Sequence, residues 1–243
     1  MVKRLFDIIF SFLGLIIFSP LLLLFIFLTW FQDFKSPFYI APRVGKNGKM
    51  FSMVKLRTMV VNADNTGVDS TASDDARITP VGQIIRRYKM DELTQLWNVL
   101  IGQMSLVGPR PQVKRDVDIY TDIEKNLLSI RPGITDFSSI VFADESDILT
   151  GMEDPDLAYN QLIRPWKSRL GLIYAEQRTL WIDIKLIVAT VMSVIARNKA
   201  LKTVHNVLKK ICNDDEVLVI SLRNSELVPS PPPGADDIVQ QRN

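Results

Sequence analysis

Residues 5–31, LFDIIFSFLGLIIFSPLLLLFIFLTWF, limit what this chain can fold into more than any other segment does. A helix needs about 20 apolar residues to span a bilayer, and this segment is longer than that. A cleaved signal peptide fits poorly, because its apolar core is usually roughly 7–15 residues long and no small-residue cleavage site follows here. We therefore expect a membrane-associated helix, in agreement with a hydrophobic content of 47% and a mean hydropathy of +0.12.

Two features of this segment argue against a simple crossing. Pro20, which follows Ser19, removes a helical hydrogen bond and kinks the axis. Both flanks are basic, with Lys3 and Arg4 before the segment and Lys35, Arg43, Lys46, Lys49, Lys55 and Arg57 after it. A single crossing cannot place both flanks on the cytoplasmic side, whereas a re-entrant helix-hairpin over residues 1–34, broken at Ser19-Pro20, can. A kinked single span remains the alternative.

Residues 86–111, RRYKMDELTQLWNVLIGQMSLVGPRP, carry the strongest chemical pattern. Asp91 and Glu92 precede apolar residues at i, i+3, i+4 and i+7, which predicts a helix that ends at Gly102; these residues are Leu93, Leu96, Trp97 and Leu100. One interpretation is that the two acids only cap this helix. The other is a nucleophilic carboxylate with a metal-binding neighbour, at a helix start that attracts phosphate. The two interpretations are compatible.

Composition narrows the chemistry that the chain can perform. With one Cys and one His, the chain has no internal disulfide framework, and a Cys/His zinc site is disfavoured. A Ser-His-Asp triad would need His205, but the sequence has no nucleophile-elbow motif. A net charge of +2 gives no global signal for nucleic-acid binding. Carboxylates therefore remain for acid–base or nucleophilic work, with Lys and Arg as electrostatic partners.

The remaining pattern predicts a mainly α fold with a small β-hairpin, an α+β class. A cytoplasmic catalytic domain with interfacial helices would follow the anchor over residues 35–200, and residues 201–243 would form a C-terminal extension. In the first half of the chain we expect a hairpin in 36–59, a polar loop in 62–78, a helix from Thr79-Pro80 to about Lys89, a helix near 119–128 and a turn at 131–135. In the second half we expect helical structure in 157–178 with a break at Pro165, a short strand at 216–222 and disorder from about 228. Residues 180–197 predict an interfacial helix, with a core helix as the alternative.

The string DELTQLWNVLIGQMSLVGPRP closely resembles the bacterial sugar transferase family, specifically its monotopic phosphoglycosyl transferases, and the likeness extends from Lys3 to about Lys185. The resemblance implies a membrane protein with a re-entrant N-terminal helix and interfacial helices, in the bacterial inner membrane with its catalytic domain facing the cytoplasm. It also implies transfer of a sugar-1-phosphate from a UDP-sugar to undecaprenyl phosphate, with release of UMP, as the first membrane step of glycan assembly. Membrane lipids and later glycosyltransferases are the other implied partners, and nucleic acid is not one.

With this resemblance, Asp91 and Glu92 are the expected catalytic residues, and Asp91 is the expected nucleophile that forms a covalent phosphosugar intermediate. The same two carboxylates are the expected ligands of a Mg²⁺ cofactor. The cations expected to hold substrate phosphates are Lys55, Arg57, Arg86, Arg110 and Arg131. The residues alone favour contact of the hairpin cations with anionic headgroups, and the resemblance reverses this interpretation for Lys55 and Arg57. Asp136 and the segment after it depart from the family pattern, which leaves the identity of the sugar open.

Two rival functions remain at this stage. One is direct displacement without a covalent intermediate, in which Asp91 is only a metal ligand. The other is a membrane-anchored adaptor without enzyme activity, which predicts no metal-dependent release of UMP.

Overall fold

A computed structural model describes residues 2–63 and 75–241 of the chain as a mainly helical fold with two small sheets. The helices are α1 (Val2–Phe31), α2 (Pro80–Arg87), α3 (Gln95–Leu100), α4 (Lys114–Asp118), α5 (Phe137–Val141), α6 (Glu145–Ile148), α7 (Pro155–Ala158), α8 (Arg164–Gln177), α9 (Leu180–Ile195), α10 (Arg197–Ile211) and α11 (Asp215–Leu222). The strands are β1 (Phe38–Val44), β2 (Met50–Leu56), β3 (Ser105–Val107) and β4 (Gly133–Thr135). The predicted α+β class is confirmed, whereas most of the predicted loop 62–78 lies outside the described residues.

Helix α1 is continuous through Ser19 and Pro20, so the predicted break in the helix at these residues is wrong. Pro20 has no N–H to bond the carbonyl of Ile16, four residues earlier. The hydroxyl of Ser19 donates to that carbonyl at 2.7 Å and replaces the missing bond. Within the described part of the chain, α1 is the one helix long and apolar enough to cross a membrane.

Polar contacts fix both ends of α1 to the rest of the protein. At its start, Lys3 donates to the buried carboxylate of Asp183 at 2.7 Å, and Arg4 donates to the last carbonyls of α3 at 2.6 and 2.9 Å. Asp7 is buried and accepts bonds from Ser105 and Leu106. Just after the end of α1, Asp33 pairs with Arg57 at 2.7 Å. Helix α1 is therefore part of the folded body of the protein.

The hairpin β1–β2 is antiparallel, as predicted, and α3 packs against it. Asn98 of α3 accepts from the amide of Val54 at 3.0 Å and donates to the carbonyl of Ser52 at 2.7 Å. Leu96 and Val99 face the core, but Trp97, which was predicted on the apolar face, is 52% exposed.

The predicted turn at 131–135 is instead part of a parallel strand pair, in which Ser105 pairs with Gly133 and Val107 with Thr135. Glycine is required where the strands meet, because a Cβ on Gly133 would lie 2.1 Å from the amide nitrogen of Gly108. The amide of Gly133 also donates to the carbonyl of Pro109 at 2.9 Å. This close approach fixes the start of the segment that carries Arg110.

The C-terminal half packs α8 to α11 around the main core. Helical structure with Pro165 at a break is confirmed, since a π-helical turn over Tyr159–Ile163 precedes α8 and Pro165 occupies its first turn. One face of α9 is buried and the other presents large apolar side chains to solvent, namely Trp181, Ile184, Val188, Val191 and Ile195.

Three other local predictions are wrong. The apolar run at 216–222 is helix α11, because Asp214 caps it and Val217, Ile220 and Ser221 bury one helical face. The predicted helix near 119–128 is replaced by the short α4 and a 3₁₀ segment, Glu124–Ser129. Residues after 228, expected to be disordered, lie against the body, where carbonyls of Pro231, Pro233 and Val239 accept side-chain bonds.

Candidate active site

The two adjacent carboxylates lie in a tight turn between α2 and α3. Lys89 has a left-handed backbone with φ of 54°, and Met90–Glu92 forms a single 3₁₀ turn before α3 begins. No side chain caps either of these helical segments. The capping interpretation of Asp91 is therefore wrong, and its carboxylate is available for other contacts.

Two cations from distant parts of the chain converge on these carboxylates. Lys55 of β2 lies 3.0 Å from Asp91 and 3.7 Å from Glu92. Arg110, which follows β3, lies 2.8 Å from Glu92. We call Lys55, Asp91, Glu92 and Arg110 the central cluster. The structure thus brings together four of the residues that the sequence analysis selected.

Charge rather than solvent controls the ionisation of Glu92. Burial by itself would raise the pKa of this carboxyl, but the charges of Arg110, Lys55 and Lys89 outweigh burial and lower the pKa to about 2. The pKa of Arg110 is raised, chiefly by Glu92. Glu92 is therefore ionised at neutral pH and holds Arg110 in place.

Further cations surround the central cluster. Burial lowers the pKa values of Arg86, Lys89 and Arg43, and the acid that most opposes this lowering is Asp91 for Arg86 and Glu92 for Lys89. Among the described side chains, none forms a salt bridge with Arg86 or Lys89. These cations are half-buried, and half-buried cations without a paired acid favour the binding of a polyanion. Arg86 was predicted at the site, whereas Arg43 and Lys89 were not.

A second ion pair lies close enough to Arg110 for their charges to interact. Lys167 of α8 pairs with Glu145 of α6 and lies over the ring of Tyr159, 5.3 Å from its centroid. Burial would raise the pKa of Glu145, but Lys167 and then Arg110 lower it. The sequence analysis missed Glu145, because it lies in the segment that departs from the family pattern.

Two predicted phosphate ligands lie outside this arrangement. All five N–H groups of Arg57 are used by Asp33 and by the carbonyls of Thr29, Ser36 and Met59. Arg57 therefore locks the end of α1 and has no donor left for a substrate. Arg131 is exposed and donates to the carbonyl of Gly102, with no described contact to the central cluster.

The central cluster suits Mg²⁺ only in part. No group of three or more His, Cys, Asp or Glu side chains forms a metal-binding cluster within residues 2–63 and 75–241. Mg²⁺ is, however, commonly held by one or two carboxylates together with water and substrate phosphates. Asp91 and Glu92 fit that donor set, provided that the substrate supplies the remaining oxygens.

Fold and site together define a class: a mainly helical protein with a long apolar N-terminal helix, whose carboxylates and cations suit phosphate chemistry. The chain belongs to the bacterial sugar transferase family, whose model matches residues 1–197. This match confirms the family that the motif at 91–111 indicated. It also shows that α10, α11 and the C-terminal segment, which complete the fold, follow the matched region.

Several relatives have names that describe a function. The exopolysaccharide production protein ExoY of Sinorhizobium fredii is 39% identical over 55% of this chain and 66% of its own length. The undecaprenyl-phosphate galactose phosphotransferase of Salmonella typhimurium is 34% identical over 82% of this chain and 41% of its own. The UDP-glucose:undecaprenyl-phosphate glucose-1-phosphate transferase of Klebsiella pneumoniae is 35% identical over 78% of this chain and 39% of its own. The chain thus spans 39% to 66% of the length of these relatives.

Proposed function

We propose that this protein is a phosphoglycosyl transferase that moves a sugar-1-phosphate from a UDP-sugar to undecaprenyl phosphate and releases UMP. The observation that carries the proposal is the central cluster, a carboxylate pair held by cations inside the region that matches the family. Two relatives are named as undecaprenyl-phosphate sugar transferases, with galactose in one name and UDP-glucose in the other. The reaction would be the first membrane step of a bacterial glycan, whose later steps need other glycosyltransferases.

The first chemical step assigns Asp91 as the nucleophile. One of its carboxylate oxygens attacks the β-phosphorus of the UDP-sugar and forms an oxygen–phosphorus bond. The bond from that phosphorus to the oxygen bridging the α-phosphate breaks, and UMP leaves with the bridging oxygen and its electron pair. A single carboxylate thereby divides one difficult displacement into two easier ones.

The second step regenerates the enzyme. A phosphate oxygen of undecaprenyl phosphate attacks the same phosphorus, and the bond to Asp91 breaks and returns the free carboxylate. The product is undecaprenyl diphosphate carrying the sugar.

The surrounding cations would stabilise charge on the transferring phosphoryl group. Lys55 and Arg110 lie against the carboxylates, and Arg86 and Lys89 have no acidic partner among the described side chains, so all four can bind phosphate oxygens. Glu92 would hold Arg110 and, with Asp91, would bind Mg²⁺ beside the substrate diphosphate. The ion would neutralise diphosphate charge when bound.

A time course of UMP release tests this proposal. Enzyme mixed with a UDP-sugar and Mg²⁺, but without acceptor, is expected to release a burst of UMP no larger than one equivalent of enzyme. Undecaprenyl phosphate should then restore continuous turnover. UMP release that occurs only with acceptor present would favour direct displacement, with Asp91 as a metal ligand. No UMP release from any UDP-sugar in a panel, with acceptor present, would favour the adaptor.

We further propose that α1, although it is unbroken at Ser19 and Pro20, anchors the protein with both of its ends on the cytoplasmic side of the inner membrane. A straight 30-residue helix is about 45 Å long, enough to cross a bilayer. Yet Lys3 and Arg4 at one end, and Asp33 beyond the other, bond to the same body. A single crossing would separate these contacts by the membrane.

Cysteine labelling tests this topology in a Cys212→Ser background. We expect Val2→Cys and Lys35→Cys to react with an impermeant maleimide in inside-out vesicles and to be protected in right-side-out vesicles. Asn213→Cys, which is exposed on the body, serves as the reference for the catalytic domain. Labelling of Val2→Cys from the opposite side to Asn213→Cys would rule out the arrangement with both ends of α1 on the cytoplasmic side.

A further inference from the structure

A proline-rich segment that follows the family-matched region is bound to the body at several points. We call this segment, residues 230–239, the C-terminal strap. The carbonyl of Pro231 accepts from Arg169 of α8 at 3.3 Å, and the carbonyl of Pro233 accepts from the hydroxyl of Thr121. Proline-rich backbone forms no internal hydrogen bonds, so its carbonyls are free to bind other parts of a protein. The C-terminal strap therefore uses its main chain to bind the body.

Both ends of the C-terminal strap bond to one residue, Gln161. The amide of Ser230 donates to the carbonyl of Gln161 at 3.0 Å, and the side-chain amide of Gln161 donates to the carbonyl of Val239 at 2.7 Å. In a regular α-helix, the carbonyl of Gln161 would accept from the residue four positions later, but that residue is Pro165, which has no N–H. The strap thus supplies a hydrogen bond that the helix cannot form by itself.

Gln161 lies in the middle of the π-helical turn Tyr159–Ile163, which precedes α8. In this turn the amide of Arg164 donates to the carbonyl of Tyr159, five residues earlier. Single π-helical turns are rare and are frequently found at functional sites. Because this geometry is uncommon, it depends on contacts from outside the helix, and the C-terminal strap provides two of them.

The π-helical turn packs against the segment that carries Arg110. Gln112, two residues after Arg110, donates to the hydroxyl of Tyr159 at 3.4 Å. The ring of Tyr159 also lies under Lys167. Lys167 pairs with Glu145, and the charge of Glu145 interacts with that of Arg110. The turn is therefore connected to Arg110 both through a neighbouring residue and through an ion pair.

Little empty space separates these elements. Arg110, Tyr159 and Lys167 line one cavity, and its volume is about 40 Å³. A cavity of this volume holds no more than a few water molecules. Close-packed elements transmit a displacement from one to the next. A shift of the π-helical turn should therefore shift Arg110.

We infer that Gln161 is a positioning residue: together with the C-terminal strap it holds the π-helical turn, and it thereby keeps Arg110 in place for phosphate transfer. The inference rests on the proposed function and assigns a role in the reaction to a segment outside the family-matched region. Arg110 would contact the substrate phosphate, whereas Gln161 acts only through Arg110. A misplacement of about 1 Å can cost about 10²-fold in rate, so a small movement of Arg110 is enough to lower activity.

Two variants release the C-terminal strap from Gln161 at opposite ends. Gln161→Met removes the side-chain donor and keeps the length of the side chain, and Ser230→Pro removes the amide donor. Proline suits position 230, because Pro231 already restricts the residue before it to extended backbone. Each variant should lower kcat/KM by about 10-fold. The matched controls are Ser230→Ala, which keeps the amide, and Gln240→Met, which makes the same change at an exposed position; both should keep the wild-type kcat/KM.

A double-mutant cycle separates positioning from a general loosening of the fold. In an Arg110→Gln background, Gln161→Met should change kcat/KM by less than about 2-fold, because the residue through which Gln161 acts is already lost. A further loss of about 10-fold in that background would mean that Gln161 acts independently of Arg110, which overturns the inference.

The burst of UMP without acceptor gives a second readout. Its amplitude measures the fraction of active enzyme, and its rate constant measures the first transfer step. Gln161→Met and Ser230→Pro should slow the burst and leave its amplitude unchanged. A smaller amplitude with an unchanged rate constant would mean that the strap only stabilises the fold, and the inference would then be wrong.

The outcomes distinguish this inference from the proposed function. If the wild type turns over but both strap variants keep its kcat/KM, the inference fails and the proposed function stands. If the wild type turns over without a burst, the double-mutant cycle alone decides the inference. If the wild type releases no UMP with any donor and acceptor, the proposed function fails and the inference fails with it.

Discussion

Asp91→Asn is expected to abolish sugar-phosphate transfer and the burst of UMP, with a loss of at least about 10³-fold in turnover. The amide is close in shape to the carboxylate but has no charge and is a poor nucleophile at phosphorus. Since Asp91 caps no helix, its replacement removes no backbone bond that the fold needs. The measurement is UMP release with and without undecaprenyl phosphate, together with membrane retention and melting temperature.

Asp118→Asn is the matched control for this variant, because Asp118 is exposed and pairs only with Lys114 among the described residues. It should retain wild-type turnover. Near-normal turnover of Asp91→Asn would exclude Asp91 as the nucleophile. A distinct result, in which both the wild type and the variant lack a burst but the variant is inactive, would identify Asp91 as a ligand rather than a nucleophile.

Arg110→Gln should lower kcat/KM by about 10²–10³-fold and change its dependence on pH. The fall reflects the loss of a cation that can stabilise charge on the transferring phosphate. The change in pH dependence arises because Arg110 is the main charge that holds the pKa of Glu92 at about 2, below its ordinary value of 4.5. Without Arg110, burial raises the pKa of Glu92, and the acidic limb of the kcat/KM profile should move to higher pH.

The same pKa shift bears on stability. A carboxyl whose pKa is lower in the folded state than in the unfolded state stabilises the fold above its unfolded pKa, and this contribution is lost as the pH falls toward the folded value. In the wild type, Glu92 should therefore contribute at pH values above about 4.5 and lose its contribution between that value and about 2. Melting temperatures of the wild type and Arg110→Gln, measured across this range, check the stability effect.

Arg131→Gln is the control for Arg110→Gln, since it removes the same charge from a residue outside the central cluster. It should keep both the wild-type kcat/KM and the wild-type acidic limb. An unchanged acidic limb in Arg110→Gln would mean that Arg110 does not control the ionisation of Glu92. A large loss of activity in Arg131→Gln would mean that Arg131 contributes to the reaction although it lies outside the central cluster.

The parts of the fold that the sequence predicted are those with a local signal. The apolar length of α1, the Gly45–Gly48 turn of the hairpin and the Thr79-Pro80 start of α2 each depend on neighbouring residues. The β3–β4 pair was missed because its strands are three residues long and its determinant is the contact between Gly108 and Gly133, which are distant in sequence. Helix α11 was missed because periodicity cannot distinguish a short apolar strand from a buried helix.

The site residues divide in the same way, into those with a local sequence signal and those set by contacts between distant parts of the chain. Asp91, Glu92 and Arg110 were identified because they lie within one motif, and Lys55 because it is one of the hairpin cations that the family resemblance selected. The role of Arg57 could not be predicted, because its partner Asp33 and the carbonyls around it converge only in the folded chain. Lys89 was missed for the related reason that its charge matters only through its proximity to Glu92.

The contacts of α1 have a consequence for any attempt to convert this protein into a soluble enzyme. Asp7, Leu22 and the carbonyl of Thr29 supply partners to the body, and Leu22 packs against Leu56 and Ile85. Removal of residues 1–31 would leave Leu56 and Ile85 open to water. A generic transmembrane tag could restore attachment to the bilayer, but it could not supply these partners. Solubilisation therefore has to redesign the outer face of α1 and keep its inner face.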